Sequence, residues 1–207
     1  MEGTKASRAK LKLALILGMG SIGIVILFIL SLTTGVMDIS FHEAMSGLWN
    51  LIQNGGEHTD NKELVLWQLR IPRALGVIAV GIGLSVAGAV MQALIRNPLV
   101  DPYITGVSSG AGLGATLAVL AGVSILGMTT YSLPIIAFIG AVGAFMFTMA
   151  LAEAAGGRPI SYVLGGVIIS IAMQAGTTLL MYFNADRLHG VLFWLFGSFA
   201  YLDWSSV

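Results

Sequence analysis

Long apolar stretches without charged residues alternate with short polar segments along most of the chain. A helix that crosses a bilayer needs about 20 apolar residues to cover roughly 30 Å of hydrocarbon. The stretches that reach this length are residues 13–32, 74–95, a window within 103–128, about 133–152 and about 162–183. None shows the period of two that indicates strands. The pattern therefore predicts an all-α polytopic membrane protein with about five transmembrane helices.

The longest polar segment, residues 35–68, lies between the first two predicted spans. Ser40 and Glu43 have the spacing of a capping box, in which each residue satisfies a backbone N–H of the other. Apolar residues recur after Ser40 at helical spacing, at Phe41, Met45, Leu48 and Ile52. We therefore expect an amphipathic helix that lies on the membrane surface and ends near Asn54.

A short apolar piece, residues 191–196, follows the fifth predicted span and ends at Gly197. It is too short to cross a bilayer. The pattern predicts a short outer or re-entrant helix, with Trp194 and Trp204 near the interface, where aromatic residues anchor.

The distribution of charge predicts the orientation. With the N-terminus in the cytoplasm and five spans, the inner side holds six basic and three acidic residues, a balance of +3. The outer side holds four basic and seven acidic residues, a balance of −3. Because short cytoplasmic loops are rich in Lys and Arg, we expect residues 1–12 to be a cytoplasmic basic N-terminus. Residues 35–68 are then extracytoplasmic, in a multi-pass protein of the cell membrane.

Composition excludes several classes of protein. Hydrophobic residues make up 57% of the chain and charged residues only 10%, against roughly 25% in soluble domains. A net charge of zero argues against nucleic-acid binding. The chain has no Cys, and its three His residues are scattered, so no metal or cofactor site is predicted. We therefore expect the protein to be surrounded by membrane lipid.

The middles of the spans contain no Asp, Glu, Lys or His, so we expect no enzymatic chemistry and no charged coupling-ion site. The leading interpretation is a transport subunit whose energy comes from a separate partner. A secondary transporter driven by an ion gradient is the alternative, although no intramembrane charge or inverted repeat indicates it. An enzyme acting on lipid would need clustered His, Asp or Glu, and no such cluster is present.

Several motifs allow both a structural and a functional interpretation. The small residues from Gly106 to Gly114 favour tight helix packing, and they could also form a pathway wall. Gln92 and Gln174, polar residues within spans, could bond across helices or face a pathway. Arg70 and Arg73, on either side of Ile71-Pro72, could anchor the chain in lipid headgroups or hold carboxylates of a partner. We expect Pro72 to keep Ile71 out of helix.

Four blocks of sequence together carry a family resemblance. They are Leu69-Arg-Ile-Pro-Arg73, Gly88-Ala-Val-Met-Gln92, Arg96-Asn-Pro-Leu-Val-Asp-Pro102 and Gly106-Val-Ser-Ser-Gly-Ala111. The chain resembles the FecCD family, the permeases of ABC importers for ferric siderophores, haem and vitamin B12, over about residues 10–207. The resemblance implies a ten-helix permease paired with a second permease subunit, either identical or different. It also implies a cytoplasmic ABC ATPase and an extracytoplasmic substrate-binding protein. Residues 1–207 would then be the incomplete, N-terminal half of one permease domain.

The resemblance also implies roles for particular residues. Arg70 and Arg73 match the arginines that receive acidic residues of the binding protein. The cytoplasmic gate would comprise Asn97, Leu99, Pro159 and Ile160. The pathway lining would comprise Gln92, Gln174, Ser108, Ser109 and Trp194. The second gate loop departs from the family pattern, because it reads Arg158-Pro-Ile-Ser161 where the vitamin B12 permease has small hydroxyl residues.

Overall fold

The computed structural model describes residues 2–56, 60–123, 129–200 and 202–204, and these residues form helices and turns without a strand. The α-helices in these ranges are α1 (Glu2–Thr33), α2 (Phe41–Gln53), α3 (Asn61–Val65), α4 (Ile71–Ile95), α5 (Val107–Ala121), α6 (Thr129–Ala154), α7 (Pro159–Phe183) and α8 (Leu188–Phe196). A π-helical turn, Leu66–Arg70, joins α3 to α4, and 3-10 turns occupy Pro102–Thr105 and Ala185–Arg187. The all-α prediction is confirmed. Residues 57–59 and 124–128, in two of the predicted segments, lie outside the described ranges.

Within the described ranges, four helical segments are long and apolar enough to cross a membrane. They are Lys10–Thr33, Asn61–Ile95, Tyr131–Ala154 and Pro159–Phe183, and they correspond to the first, second, fourth and fifth predicted spans. The third predicted window differs, because α5 has only 15 residues, or about 22 Å of helix. Gly106, with φ +81°, separates α5 from the 3-10 turn before it. The window is thus broken into two helical pieces, each shorter than the hydrocarbon thickness.

The second span begins earlier than the predicted residue 74. The helical path runs for 35 residues, from Asn61 to Ile95, so the last part of the predicted outer segment already belongs to it. Our expectation that Pro72 keeps Ile71 out of helix is wrong, since Ile71 is helical with φ −64° and ψ −51°. Its N–H bonds to the Leu66 carbonyl, five residues back. This wider π-turn accommodates a proline, which has no N–H and crowds the preceding turn.

One compact unit comprises Met1–Val80 and Phe199–Val207. The predicted capping box of α2 is confirmed: the Ser40 hydroxyl accepts from the Glu43 N–H, and the Glu43 carboxylate accepts from the Ser40 N–H at 2.8 Å. The core of the unit gathers side chains from α1, the segment before α2, α2 itself, the π-turn and α4. They are Leu32, Ile39, Ala44, Leu51, Leu66 and Ile71. The segment between α1 and α4 thus folds back onto the ends of two spans.

The second compact unit, Gly81–Ser198, is built around α5, α6 and α7. Helices α5 and α6 touch backbone to backbone at Gly110 and Gly140. A Cβ atom at Gly110 would lie 2.4 Å from the Ala144 Cβ and 2.5 Å from the Gly140 carbonyl oxygen. The tight-packing interpretation therefore holds for Gly110, since only a residue without a side chain lets the helices approach this closely. A buried hydrogen bond from the Thr148 hydroxyl to the Thr105 carbonyl, 2.9 Å long, joins α6 to the 3-10 turn before α5.

Helix α8 is the short helix that the sequence predicts after the fifth span. It has nine residues and packs on α5, where Val191 is buried. A Cβ atom at Gly112 of α5 would lie 3.2 Å from a methyl carbon of Leu195. Arg187, just before α8, donates to the Leu120 carbonyl at 2.6 Å, near the C-terminal end of α5. A cation at this position complements the helix dipole.

Candidate docking, gate and pathway sites

Arg70 ends the π-turn and points into the protein, with only 8% of its surface exposed. Its guanidinium donates to the carbonyls of Leu32 and Met37, both at 2.5 Å. Leu32 lies in the last turn of α1, where carbonyls have no partner within the helix, so Arg70 caps this helix end. Gly35 permits the approach: a Cβ there would lie 2.9 Å from an Arg70 nitrogen.

Arg73, one turn further along, has a different environment. It is half-buried and donates to the Ala200 carbonyl. Among described residues, its Nε is a buried side-chain atom without a hydrogen-bond partner. Both arginines line a groove of about 780 Å³ between α1 and the start of α4, with mostly apolar walls. Arg73 is therefore the more accessible of the two arginines at this groove.

Residues near the end of the chain pack beside Arg73. The sequence analysis did not predict this packing. The rings of Trp67 and Trp204 lie 4.6 Å apart between centroids. A Cβ atom at Gly76 would lie 3.1 Å from a methyl carbon of Leu202. These partners are more than 120 positions apart, so no local pattern could have paired them. The only sequence signal for these contacts was the predicted position of Trp204 near the membrane interface.

The loop between α4 and α5 is shaped by two side chains that bond to its own backbone. The Asn97 side-chain oxygen accepts from the Leu99 N–H at 3.0 Å. The Asp101 carboxylate accepts from the N–H groups of Tyr103 and Ile104, at 2.9 and 3.1 Å, as an N-cap. Such Asx-type bonds hold a turn without help from a helix or a sheet. The exposed Leu99 side chain stands at the tip of this fixed loop.

The loop between α6 and α7 lies at the same end of the second unit. Pro159 is the first residue of α7, where its missing N–H costs no helical bond, and Ile160 is exposed. Val100, from the first loop, is buried in a cluster against which Val163 of α7 packs. The structure therefore brings both predicted gate loops together, although the sequence separates them by about 60 residues.

A second contact braces the α6–α7 loop. The Tyr162 hydroxyl donates to the Glu153 carboxylate, which joins the first turn of α7 to the last turn of α6. The Ser161 hydroxyl donates to the Ala155 carbonyl at 3.2 Å. Two side-chain hydrogen bonds therefore join the residues on either side of this loop. The sequence analysis did not predict them.

The predicted pathway residues are spread over four helices. Gln92 and Gln174 are exposed on α4 and α7, and Ser108 is exposed in the first turn of α5. The Ser109 hydroxyl donates to the Gly106 carbonyl at 2.9 Å, so it is used within its own helix. Trp194 is half-buried on α8. The structure does not gather these residues into one cluster.

Gln174 belongs to a polar stripe on α7 that the sequence analysis missed. Ser170, Gln174, Thr178 and Tyr182 recur every four residues and line a shallow groove of about 630 Å³. Side chains at this spacing share one face of a helix. All four are uncharged and can form hydrogen bonds. The four-residue spacing was the signal that could have revealed the stripe.

Comparison with known proteins agrees with this architecture. The model of the FecCD transport family matches residues 23–207, and the chain belongs to this family. The vitamin B12 import system permease protein BtuC of Serratia proteamaculans is 36% identical over 188 residues, which cover 89% of this chain and 51% of that protein. The BtuC protein of Escherichia coli is 40% identical over 157 residues, which cover 74% of this chain and 46% of that protein.

A solved structure is similar to most of this chain. It shows, in an inward-facing conformation, a protein assigned to the metal-chelate type of ABC transporter. The two chains superpose with a TM-score of 0.73 and 30% sequence identity, over 92% of this chain and 55% of the other. The chain spans about half the length of the curated relatives it matches.

Proposed function

We propose that the chain is a transmembrane permease subunit of an ATP-driven importer for an iron chelate or a related metal chelate such as haem or cobalamin. The match of the FecCD family model over residues 23–207 is the observation that carries the proposal. The relatives named for vitamin B12 import support this type of cargo. The subunit moves its cargo and does no chemistry on it, since ATP hydrolysis belongs to a separate cytoplasmic ATPase.

The translocation pathway would form between this permease and a second permease subunit. A substrate-binding protein would deliver the cargo at the end of the molecule that carries Arg73. There the Arg73 guanidinium, which is only half-buried, would hold a carboxylate of that protein. Arg70 would act indirectly, because its guanidinium already caps α1. It would position the outer end of α4 rather than touch the partner.

Leu99 and Ile160 would form the cytoplasmic gate. Both are exposed apolar residues at the same end of the second unit, on loops held by Asn97 and Pro159. Apolar side chains at a constriction exclude water and ions when they meet those of a second subunit. Such a gate would close by contact and would need no titrating group.

The polar stripe of α7 would face the pathway. Polar side chains in contact with lipid are unfavourable, so a face with Gln174 and Thr178 is better placed toward water or cargo. Because Ser170 and Tyr182 are also uncharged, this face would offer hydrogen bonds without fixing a charged cargo tightly. Gln92, Ser108, Ser109 and Trp194 remain proposed pathway residues on other helices.

Uptake into proteoliposomes tests this function. We expect transport of a radiolabelled metal chelate only when the assembled permease is supplied with its ATPase, ATP and the binding protein. An imposed proton or sodium gradient without ATP should give no uptake above that of empty vesicles. Uptake driven by the gradient alone would overturn the proposal in favour of a secondary transporter.

Thiol labelling tests the proposed orientation, with the N-terminus in the cytoplasm. The chain has no native Cys, so single cysteines at Gln53 and Ala155 give unambiguous signals. Both residues are exposed, and they lie on opposite sides in the proposed topology. A membrane-impermeant maleimide should label Gln53→Cys in intact cells, and should label Ala155→Cys only after permeabilisation. The reverse pattern would invert the topology.

A further inference from the structure

Helix α2 has three distinct faces. The residues on one face are buried or half-buried, namely Ala44, Gly47, Leu48 and Leu51. A second face is apolar and exposed, with Phe41 at 61%, Met45 at 36%, Trp49 at 62% and Ile52 at 67%. At about 100° per residue, these four residues fall within about 80° of one another around the helix. The remaining face is polar and includes His42, Glu43, Ser46, Asn50 and Gln53.

The exposed apolar face differs from the one that the sequence predicts. The pattern placed Leu48 in the surface stripe, but Leu48 packs against the core of the first unit. Trp49 takes its place in the exposed stripe. The helix is therefore not simply two-sided: protein contacts one face, and the apolar stripe lies between that face and the polar one.

The contacts of the buried face fix the depth of α2 relative to the spans. Its Ala44 and Leu51 share a core with Leu32, in the last turn of α1, and with Leu66, in the second candidate span. A Cβ atom at Gly47 would lie 3.0 Å from a methyl carbon of Leu66. Because Leu32 and Leu66 lie near the ends of their spans, α2 lies beside the boundary between hydrocarbon and headgroups.

Polar contacts fix the rotation of α2 about its axis. Glu43 forms an ion pair with Lys62 at 2.6 Å, and the Asn50 side chain donates to Glu63 at 3.0 Å. The hydrogen bond from Lys62, with that from the Ser40 N–H, lowers the pKa of Glu43 to about 2. The carboxylate therefore stays ionised at neutral pH. Together with the capping box, these contacts keep the apolar stripe facing outward.

We propose that α2 is an interfacial membrane anchor, whose stripe of Phe41, Met45, Trp49 and Ile52 inserts into the lipid leaflet at the C-terminal end of α1. The three faces match a helix lying beside a bundle at this depth, with protein on one side, acyl chains below and water above. Trp49 suits the position, since tryptophan concentrates at the interface. The last third of α1 also carries exposed apolar residues, among them Leu27 and Leu30.

Fluorescence quenching in nanodiscs tests this anchor. Single cysteines replace Phe41, Met45 or Ile52 in the full chain, and Ser46 or Gln53 on the polar face of the same helix as matched controls. Each cysteine carries a bimane label, and the phosphatidylcholine carries a nitroxide near the top of its acyl chain. We expect quenching by the lipid nitroxide to be at least about threefold stronger for the stripe labels than for the controls. Aqueous iodide should quench in the opposite order.

Each other outcome overturns the proposal. Equal iodide quenching at all five positions would mean that the stripe faces water. Labels at the stripe that neither quencher reaches would mean that another part of the protein or a second copy covers it. Because three stripe positions are tested separately, one variant that fails to fold leaves two measurements. Thermal unfolding of each labelled protein identifies such a variant. The result is independent of cargo and energy source.

Discussion

Substituting Arg73 by Glu in the assembled permease is expected to weaken docking of the substrate-binding protein by at least about tenfold, or ~1.4 kcal/mol. Arg73 is half-buried whereas Arg70 is buried, so Arg73 is the more accessible of the two arginines. A carboxylate of the partner would pair with the positive guanidinium, whereas a glutamate at this position would repel it. The measurement is the affinity of the binding protein for the permease in nanodiscs across a salt series. Basal ATP hydrolysis should hardly change.

Two further substitutions test whether the effect depends on the charge and geometry of Arg73. Arg73→Lys should restore part of the affinity, because lysine keeps the charge and loses the planar fork. His42→Glu is the matched control, since it adds negative charge on the polar face of α2 and leaves Arg73 intact. Normal docking of the Arg73→Glu permease at low salt would show that Arg73 only anchors the chain at the interface.

Arg70 should respond differently from Arg73. Its guanidinium holds the carbonyls of Leu32 and Met37, so Arg70→Gln leaves buried acceptors unsatisfied. Such a loss costs about 1–3 kcal/mol for each buried group. We therefore expect a clearly lower unfolding temperature for Arg70→Gln and a smaller decrease for Arg73→Gln, whose bond to the Ala200 carbonyl is exposed. Equal stability of the two variants, with equal loss of docking, would instead assign both arginines to the partner.

Replacing Gly110 by Ala is expected to destabilise the second unit by about 1–3 kcal/mol, the usual cost of overpacking a tight contact. The new methyl group would meet the Gly140 carbonyl oxygen at 2.5 Å and the Ala144 Cβ at 2.4 Å. Neither atom can turn away as a flexible side chain would, so α5 and α6 must separate. Equilibrium unfolding in bicelles measures the loss.

Gly143 provides the matched control on the partner helix α6. A Cβ atom there would meet nothing within 4 Å, so Gly143→Ala should change stability by no more than about 0.5 kcal/mol. Wild-type stability of Gly110→Ala would contradict the close contact of the two helices.

Part of the candidate site could be predicted from local sequence. The capping box of Ser40 and Glu43 and the short helix α8 depend on neighbouring residues, and the structure has both. The environments of Arg70 and Arg73 could not be predicted. They depend on Met37 and Ala200, which lie 33 and 127 positions away. Their spacing in the sequence predicted the same role for both arginines, whereas their tertiary contacts give them different environments.

The sequence by itself determined that the protein is an all-α membrane protein and where four of its spans lie. Apolar length decides both, because a lipid-exposed backbone must form its hydrogen bonds within its own helix. Only the tertiary structure showed that the third predicted span is interrupted at Gly106 and that a π-turn precedes Pro72. It also showed that Leu48 packs against the core of the first unit. It also brought Leu99 and Ile160 to one end of a unit. These features depend on which helices touch, and residues far apart in the chain make those contacts, as Gly47 does with Leu66.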